Sequence, residues 1–233
     1  MIRINKYEEL GKGKLPWLDA KYHFSFAEYH SQERMGFGPL RVINDDTVKA
    51  GSGFDMHPHR DMEIITYVRK GAISHKDNLG NSGKTKAGDV QVMSAGTGIF
   101  HSEYNLESED TKLYQIWIKP NRHSVAPRWE TNKFLNREGI NLLVSGRPDE
   151  SGDDVMFIHQ DASIYGVNLN KGKDIKYTLE KGRGVYILVS KGNAAINDEK
   201  VEKGDGVEVF NEENIKLSSS SKSEFLIIDV PLA

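Results

Sequence analysis

The sequence contains no cysteine among its 233 residues. Disulfides, thiolate ligands and iron–sulfur clusters are therefore excluded, and any bound metal must be held by imidazole nitrogen or by oxygen. An excess of positive charge is also missing, because 31 Lys and Arg face 34 Asp and Glu, which gives a net charge of −3 with histidine neutral. No basic block is present, so direct binding to a nucleic-acid backbone is not expected.

Long apolar runs are absent as well. The opening MIRINKYEELGKGK lacks the apolar stretch of a signal peptide, and no run approaches the length of a membrane span. The length suits one large or two small domains with a real hydrophobic core. The expectation is a cytoplasmic protein with no membrane contact.

Short strand-forming segments dominate what is present. Runs rich in β-branched and aromatic residues are bounded by Gly, Asn, Asp or Lys, as in EIITYVRKG, LYQIWI, GVYILVSKG and SEFLIIDV. Long helical periodicity is scarce. Many short strands with frequent turns predict an all-β fold of barrels or sandwiches.

An internal repeat divides the chain. ITYVRKG (65–71) parallels YILVSKG (186–192), and AGDVQV (87–92) parallels KGDGVEV (203–209). The repeat predicts two copies of one β-lobe. We place the first domain at residues 1–132 and the second at 133–233, with the crossover in 119–134.

Two histidine-bearing segments carry the chemistry. His57 and His59 are two residues apart in GSGFDMHPHRDME, and His101 and Glu103 have the same spacing in GDVQVMSAGTGIFHSEYN. Residues i and i+2 of a strand point to one face, so each pair can reach one ion. Three nitrogens and one carboxylate oxygen suit a first-row transition metal with open positions. Glu63 competes with Glu103 for the carboxylate role, and strand parity does not decide between them.

The same segments resemble known motifs. Gly51, the His-x-His pair, Glu63 and Gly71 follow the first motif of the cupin barrels, and the segment from Gly88 to Asn105 follows the second. HPHRDMEIITYV, GDVQVMSAGTGIFHSE, LYQIWI and the opening WLDAKYHFSFAEYH closely resemble the pirin family of bicupins, and the Asp-Met-Glu is similar to the bacterial members described as quercetin 2,3-dioxygenases. The resemblance implies two tandem cupin barrels.

The resemblance also implies a function and a ligand set. The implied ligands are His57, His59, His101 and Glu103, and they hold one divalent metal per chain. Iron(II) is the expected metal, while manganese, cobalt, nickel, copper and zinc stay open. The implied activity is cleavage of a flavonol such as quercetin by dioxygen in a monomer, with Glu103 as the proton acceptor.

Two other functions compete with this one. Eukaryotic pirins are described as transcription cofactors, which would make the chain a non-enzymatic protein whose metal redox state controls binding of a protein partner. A degenerate cupin with a purely structural role is disfavoured, because buried ligands without a metal are costly. Turnover would separate the enzyme from both alternatives.

The repeat makes a further prediction about the second lobe. Offsets from the paired glycines place Thr178 and Glu180 at the positions of His57 and His59, and Leu217 and Ser219 at those of His101 and Glu103. The second lobe is therefore not expected to bind this kind of metal.

Other residues receive simpler predictions. The acceptor for the second N–H of a ligating histidine is expected to be Glu63 or Asp61. His75 is expected at a strand end, with a position near the pocket as the alternative. Core packing is predicted for Trp17, Phe24, Phe26, Met93 and Phe100.

Overall fold

The computed structural model describes residues 1–134, 137–150 and 152–232. The described residues contain the short 3-10 helices Tyr7–Glu9 and Gln32–Arg34, but no helix long and apolar enough to cross a membrane. The strands are β1 Ile2–Asn5, β2 Gly11–Lys14, β3 Leu18–Tyr22, β4 Leu40–Val48, β5 Ser52–His59, β6 Glu63–Lys70, β7 Ala72–Asp77, β8 Ser82–Lys86, β9 Asp89–Ser94, β10 Ile99–Asn105, β11 Thr111–Ile118, β12 Arg128–Lys133, β13 Gly139–Ser145, β14 Met156–Phe157, β15 Ser163–Leu169, β16 Asp174–Thr178, β17 Arg183–Lys191, β18 Asn193–Ile196, β19 Glu199–Glu202, β20 Gly206–Phe210, β21 Asn214–Ser219 and β22 Ser223–Pro231.

The all-β prediction is confirmed, and the strongest strand signals fall where they were expected. EIITYVRK forms β6, LYQIWI lies in β11, and the second-half runs form β17 and β22. Their β-branched and aromatic side chains favour extended backbone and pack well on a pleated surface.

Each lobe is a sandwich of a seven-stranded and a four-stranded sheet, as expected for tandem cupin barrels. In the first lobe the strand orders are β12-β9-β6-β11-β4-β3-β2 and β5-β10-β7-β8. In the second they are β1-β20-β17-β22-β15-β13-β14 and β16-β21-β18-β19. The two lobes thus repeat one architecture along the chain.

The first strand crosses between the lobes. β1 pairs antiparallel with β20, and Ile2 lies opposite Val209. At the other end of the first lobe, β12 pairs with β9 and ends at Lys133, while β13 begins at Gly139. The second lobe therefore takes its edge strand from the beginning of the chain.

The seven-stranded sheets pack against each other across a shared apolar core. Alternate residues of β11 and β17 supply Tyr114, Ile116, Tyr186 and Leu188 to this layer. The Phe24 ring lies 5.2 Å from the Tyr186 ring between centroids. Because residues i and i+1 of a strand face opposite sides, the other half of each sheet faces the interior of its own lobe.

The two interiors differ in polarity. Ile187, Val207, Ile215 and Leu217 belong to one apolar cluster that fills the second lobe. In the first lobe, a polar row crosses five paired strands on the inner face, formed by Tyr22, Asn44, Gln115, Thr66 and Gln91. The first lobe is therefore the one whose interior is equipped for polar chemistry.

Candidate metal centre

The structure brings the three predicted histidines together on neighbouring strands. His57 and His59 lie on β5, and His101 lies opposite His57 on β10. The ring centroids of His57 and His101 are 4.4 Å apart, and the other two pairs are 4.8 and 5.0 Å apart. One ligand nitrogen from each ring lies within 4.8 Å of the other two. This arrangement can hold a metal ion.

Glu103 lies beside this cluster, in a second group that shares His101. One oxygen of Glu103 lies within 4.8 Å of ligand nitrogens of His75 and His101. A β-bulge falls between His101 and Glu103, and bulges re-aim side chains at functional sites. The buried Glu103 carboxylate therefore lies next to His101 and His75, on the side of β7, and the three clustered histidines and Glu103 form two overlapping groups.

His59 and His101 have the protonation that a metal requires. Burial, followed by the neighbouring His57, lowers the pKa of His59 to about 4. Burial, followed by His57 and His59, lowers the pKa of His101 to about 2. Both rings are therefore neutral at physiological pH, the form in which imidazole binds metals.

Hydrogen bonds also set which nitrogens are free. His57 Nδ1 lies 2.6 Å from the backbone oxygen of Asp55, so Nδ1–H donates and the Nε2 lone pair is left for a ligand role. His101 Nε2 is buried and has no hydrogen-bond partner within the described ranges. A buried nitrogen without a partner is costly, and a metal ion would satisfy it. The donor set thus fits a divalent transition metal.

A set of neutral donors holds the Glu103 carboxylate. Gln115 Nε2 donates to Oε2 at 2.6 Å, and Gln91 Nε2 and Thr66 Oγ1 donate to Oε1. Burial raises the pKa of Glu103, while His75 and these amides oppose that rise. Because carboxylate oxygens have several lone-pair sites, these bonds orient the group and still leave capacity for a metal or a proton.

His75 and Asp77 extend the centre beyond the predicted residues. His75 Nε2 lies 3.0 Å from Asp77 Oδ2, and His75 Nδ1 lies 3.4 Å from His101 Nδ1. Since the carboxylate accepts from Nε2–H, Nδ1 of neutral His75 can accept from His101 Nδ1–H and leave His101 Nε2 for a metal. His75 lies two residues before the end of β7, is buried and stacks on Trp129 at 4.7 Å between ring centroids, so it occupies both a strand end and a position beside the site. The signal that could have found it is the His-x-Asp spacing in SHKD.

Glu63, the alternative carboxylate, makes its contacts elsewhere. Its Oε2 accepts from Ser94 Oγ at 2.7 Å, and its Oε1 lies 3.2 Å from His159 Nδ1 of the second lobe. Asp61 accepts from the backbone N–H of Ser124 at 2.7 Å. The prediction that Glu63 or Asp61 accepts from a ligating histidine is therefore wrong; the Asp55 carbonyl and His75 take that place.

A cavity of about 440 Å³ opens over the histidines, within the usual range for small-molecule sites. Aromatic side chains form much of its wall, namely Trp17, Tyr22, Phe26, Phe54 and Trp117. Trp17 and Phe26 were predicted as core and instead line this cavity, while Phe100 is half exposed. The core predictions for Phe24 and Met93 are confirmed.

Two polar side chains also reach the cavity, from β4. Asn44 and Asp46 are 4% and 2% exposed and line it together with the histidines. Burial, followed by repulsion from Asp45 and Glu103, raises the pKa of Asp46 well above its usual range. No sequence pattern distinguished these two residues.

Comparison with known proteins places this geometry in a family. The Pirin model matches residues 3–118, and the model described as "Quercetinase C-terminal cupin domain" matches residues 142–230. The chain is 44% identical to a protein of Escherichia coli K12 named quercetin 2,3-dioxygenase, over 99% of both chains. It is also 44% identical to a pirin-like protein of Caulobacter vibrioides, over 98% of this chain and 99% of that one.

A solved structure agrees with the fold. The bacterial pirin YhhW of Escherichia coli, in complex with nickel(II), has a TM-score of 0.95 and 44% identity, and the match covers 100% of both chains. The two-lobed fold, both family models and relatives matched over nearly their full length agree. The chain therefore belongs to the pirin family.

Proposed function

We propose that this protein is a metal-dependent dioxygenase of the pirin type that cleaves a flavonol with dioxygen. The observation that carries the proposal is the cluster of His57, His59 and His101 at the base of an aromatic-walled cavity. The names of the relatives supply the quercetin-like substrate class. The proposed ligands are these histidines and Glu103, all within residues 1–132, so one monomer with one ion is the proposed working unit.

The identity of the metal is part of the proposal. We assign iron(II), although a nitrogen and oxygen donor set also accepts other first-row ions. The solved relative holds nickel(II). When bound, a divalent metal supplies Lewis-acid polarisation of the adjacent hydroxyl and carbonyl oxygens of a flavonol, which lowers the hydroxyl pKa.

The protein's own groups supply orientation and proton transfer. The Glu103 carboxylate accepts the flavonol hydroxyl proton, and Gln91 and Gln115 hold it in position for that transfer. The aromatic walls bind the planar ring system and exclude water from it. Trp117 also packs edge-on against the His59 ring, at 4.9 Å between centroids, and limits the orientations of that ring. The overall reaction opens the central ring of the flavonol and releases carbon monoxide.

The test is quercetin-dependent oxygen uptake by protein loaded separately with iron, manganese, cobalt, nickel or copper. We expect uptake from at least one loaded form and none from His59→Ala, which should lose most of its bound metal because one of three clustered nitrogens is gone. His30→Ala is the matched control, since His30 is exposed and lies outside the site.

Metal content is measured on the same samples by mass spectrometry. A full metal equivalent without uptake from any form would contradict the oxygenase and favour the regulatory alternative, in which the metal controls binding of a protein partner. Unchanged metal content in His59→Ala would contradict the ligand assignment.

A further inference from the structure

Two buried oxygens in the wall of the cavity have no partner. Asn44 Oδ1 and Asp46 Oδ1 make no hydrogen bond within residues 1–134, 137–150 and 152–232. Both side chains are more than nine-tenths buried, and both line the cavity that opens on the histidines. A buried acceptor without a donor costs about 1–3 kcal/mol, so a stable fold rarely keeps two side by side without a use.

The pairing of β4 with β11 fixes where Asn44 and Asp46 lie. On β4, Asn44 lies opposite Gln115 of β11, and Gln115 donates to the proposed ligand Glu103 at 2.6 Å. Asn44 is thus one strand further from the centre, or about 5 Å. Asp46 is two residues along β4 on the same face, about 7 Å from Asn44 between Cα atoms.

The two oxygens and the histidines occupy different walls of one cavity. β4 belongs to the seven-stranded sheet, whereas β5 and β10, which carry the histidines, belong to the four-stranded sheet. A ligand anchored at the histidines therefore extends towards β4. An unpaired acceptor oxygen is satisfied by a hydrogen-bond donor. On the aromatic rings of a flavonol, the hydrogen-bond donors are hydroxyl groups.

We infer that Asn44 and Asp46 are specificity-determining residues, whose unpaired oxygens accept hydrogen bonds from ring hydroxyls of a flavonol other than the chelating hydroxyl. This inference rests on the proposed function, because it assigns residues that select the substrate of the same site. Binding of a ligand without these hydroxyls leaves both oxygens unpaired, and sites of this kind reject such ligands strongly.

The test compares quercetin with 3-hydroxyflavone, which keeps the chelating hydroxyl and carbonyl and lacks every other hydroxyl. Affinities are measured on nickel(II)-loaded protein without oxygen, by quenching of tryptophan fluorescence, so that binding is separated from turnover. Trp17 and Trp117 line the cavity and report on its occupancy. Oxygen is then admitted and its uptake recorded.

Four variants form two matched pairs. Asn44→Leu and Asp46→Leu keep the approximate shape and remove the oxygens, while Asn44→Asp and Asp46→Asn retain an oxygen at each site. We expect each leucine variant to lower the quercetin to 3-hydroxyflavone affinity ratio about 10-fold, the worth of one buried hydrogen bond. The oxygen-retaining variants should stay within about 3-fold of the unmodified protein.

Thermal unfolding supplies a second readout. Because the side chains of Asn44 and Asp46 make no hydrogen bond to any described residue, the leucine variants should keep or raise the Tm of the ligand-free protein. A fall in Tm with an unchanged affinity ratio would show that the oxygens serve the fold through bound water, and would overturn the inference. Normal selectivity in protein that takes up no oxygen in any of the five metal-loaded forms would contradict the proposed reaction and support the subsite, whereas failure of both flavonols to bind would overturn both.

Discussion

The chain of contacts from His101 through His75 to Asp77 makes a quantitative prediction about metal affinity. The nitrogen of His101 that faces away from the proposed metal position lies 3.4 Å from His75, which in turn lies 3.0 Å from Asp77. Burial works to raise the pKa of Asp77, but hydrogen bonds from His75, Asn81 and Leu79 outweigh it, so the pKa is lowered and Asp77 stays an anion. A carboxylate at the end of such a chain raises the basicity of the ligating ring and fixes its orientation.

The expected effect follows from this arrangement. His75→Phe keeps the ring that stacks on Trp129 and removes both nitrogens, so His101 loses its acceptor. Loss of such an outer partner weakens metal binding by about 10–100-fold, or about 1.4–2.7 kcal/mol. His75→Asn keeps an acceptor near Nδ1 and loses the contact with Asp77, so its effect should be smaller.

The assay is competition for nickel(II) against a chromophoric chelator at fixed pH, with circular dichroism as the check on folding. His30→Phe is the matched control and should bind nickel(II) as the unmodified protein does. A folded His75→Phe protein with a Kd within about 2-fold of the unmodified protein would refute the reasoning, because the magnitude expected of an outer partner is at least five times larger.

Two other predictions concern the carboxylates and the pH dependence of stability. Glu103→Gln should reduce the bound metal far more than Glu63→Gln, since Glu63 is held by Ser94 and His159; the reverse order, measured by mass spectrometry, would make Glu63 the ligand. Burial lowers the pKa of His23 to about 3. Below about pH 6.5 this histidine therefore takes up a proton in the unfolded chain but not in the folded protein. The free energy of unfolding should therefore fall as the pH drops from 6.5 towards 3, by about 1.4 kcal/mol per pH unit from this residue. In urea titrations at several pH values, the free energy of unfolding of His23→Gln should depend less steeply on pH. An equal pH dependence in both proteins would contradict the assignment to His23.

The sequence predicted the parts of the site that depend on local spacing. His57 and His59 share a strand face whatever the rest of the chain does, and the family resemblance led to His101 and Glu103 on the next strand. An apolar residue in place of a metal ligand could also be anticipated in the second lobe. The repeat aligns Leu217 with the ligand position of His101, and Leu217 lies in the apolar cluster of that lobe.

The parts that were missed depend on contacts between distant segments. Trp17 and Phe26 look like core residues until the strands around them are seen to enclose a cavity. Glu63 meets His159 only because two lobes pack together, and no local pattern reports a partner 96 positions away. Asn44 and Asp46 become notable only when it is known that their Oδ1 atoms have no hydrogen-bond partner in the part of the chain that the structure describes.

The crossing of β1 has a consequence for biosynthesis. Met1 and Phe210 are joined by backbone hydrogen bonds although they are 209 positions apart. At about 5–20 residues per second, the first strand emerges from the ribosome about 10–40 s before its partner exists. During that time the segment Ile2–Asn5 has no sheet to join, and the second lobe has no finished edge until β20 has been synthesised. Closure of this edge is thus a late event in the folding of the second lobe, whereas strands β2 to β12 of the first lobe can pair before it.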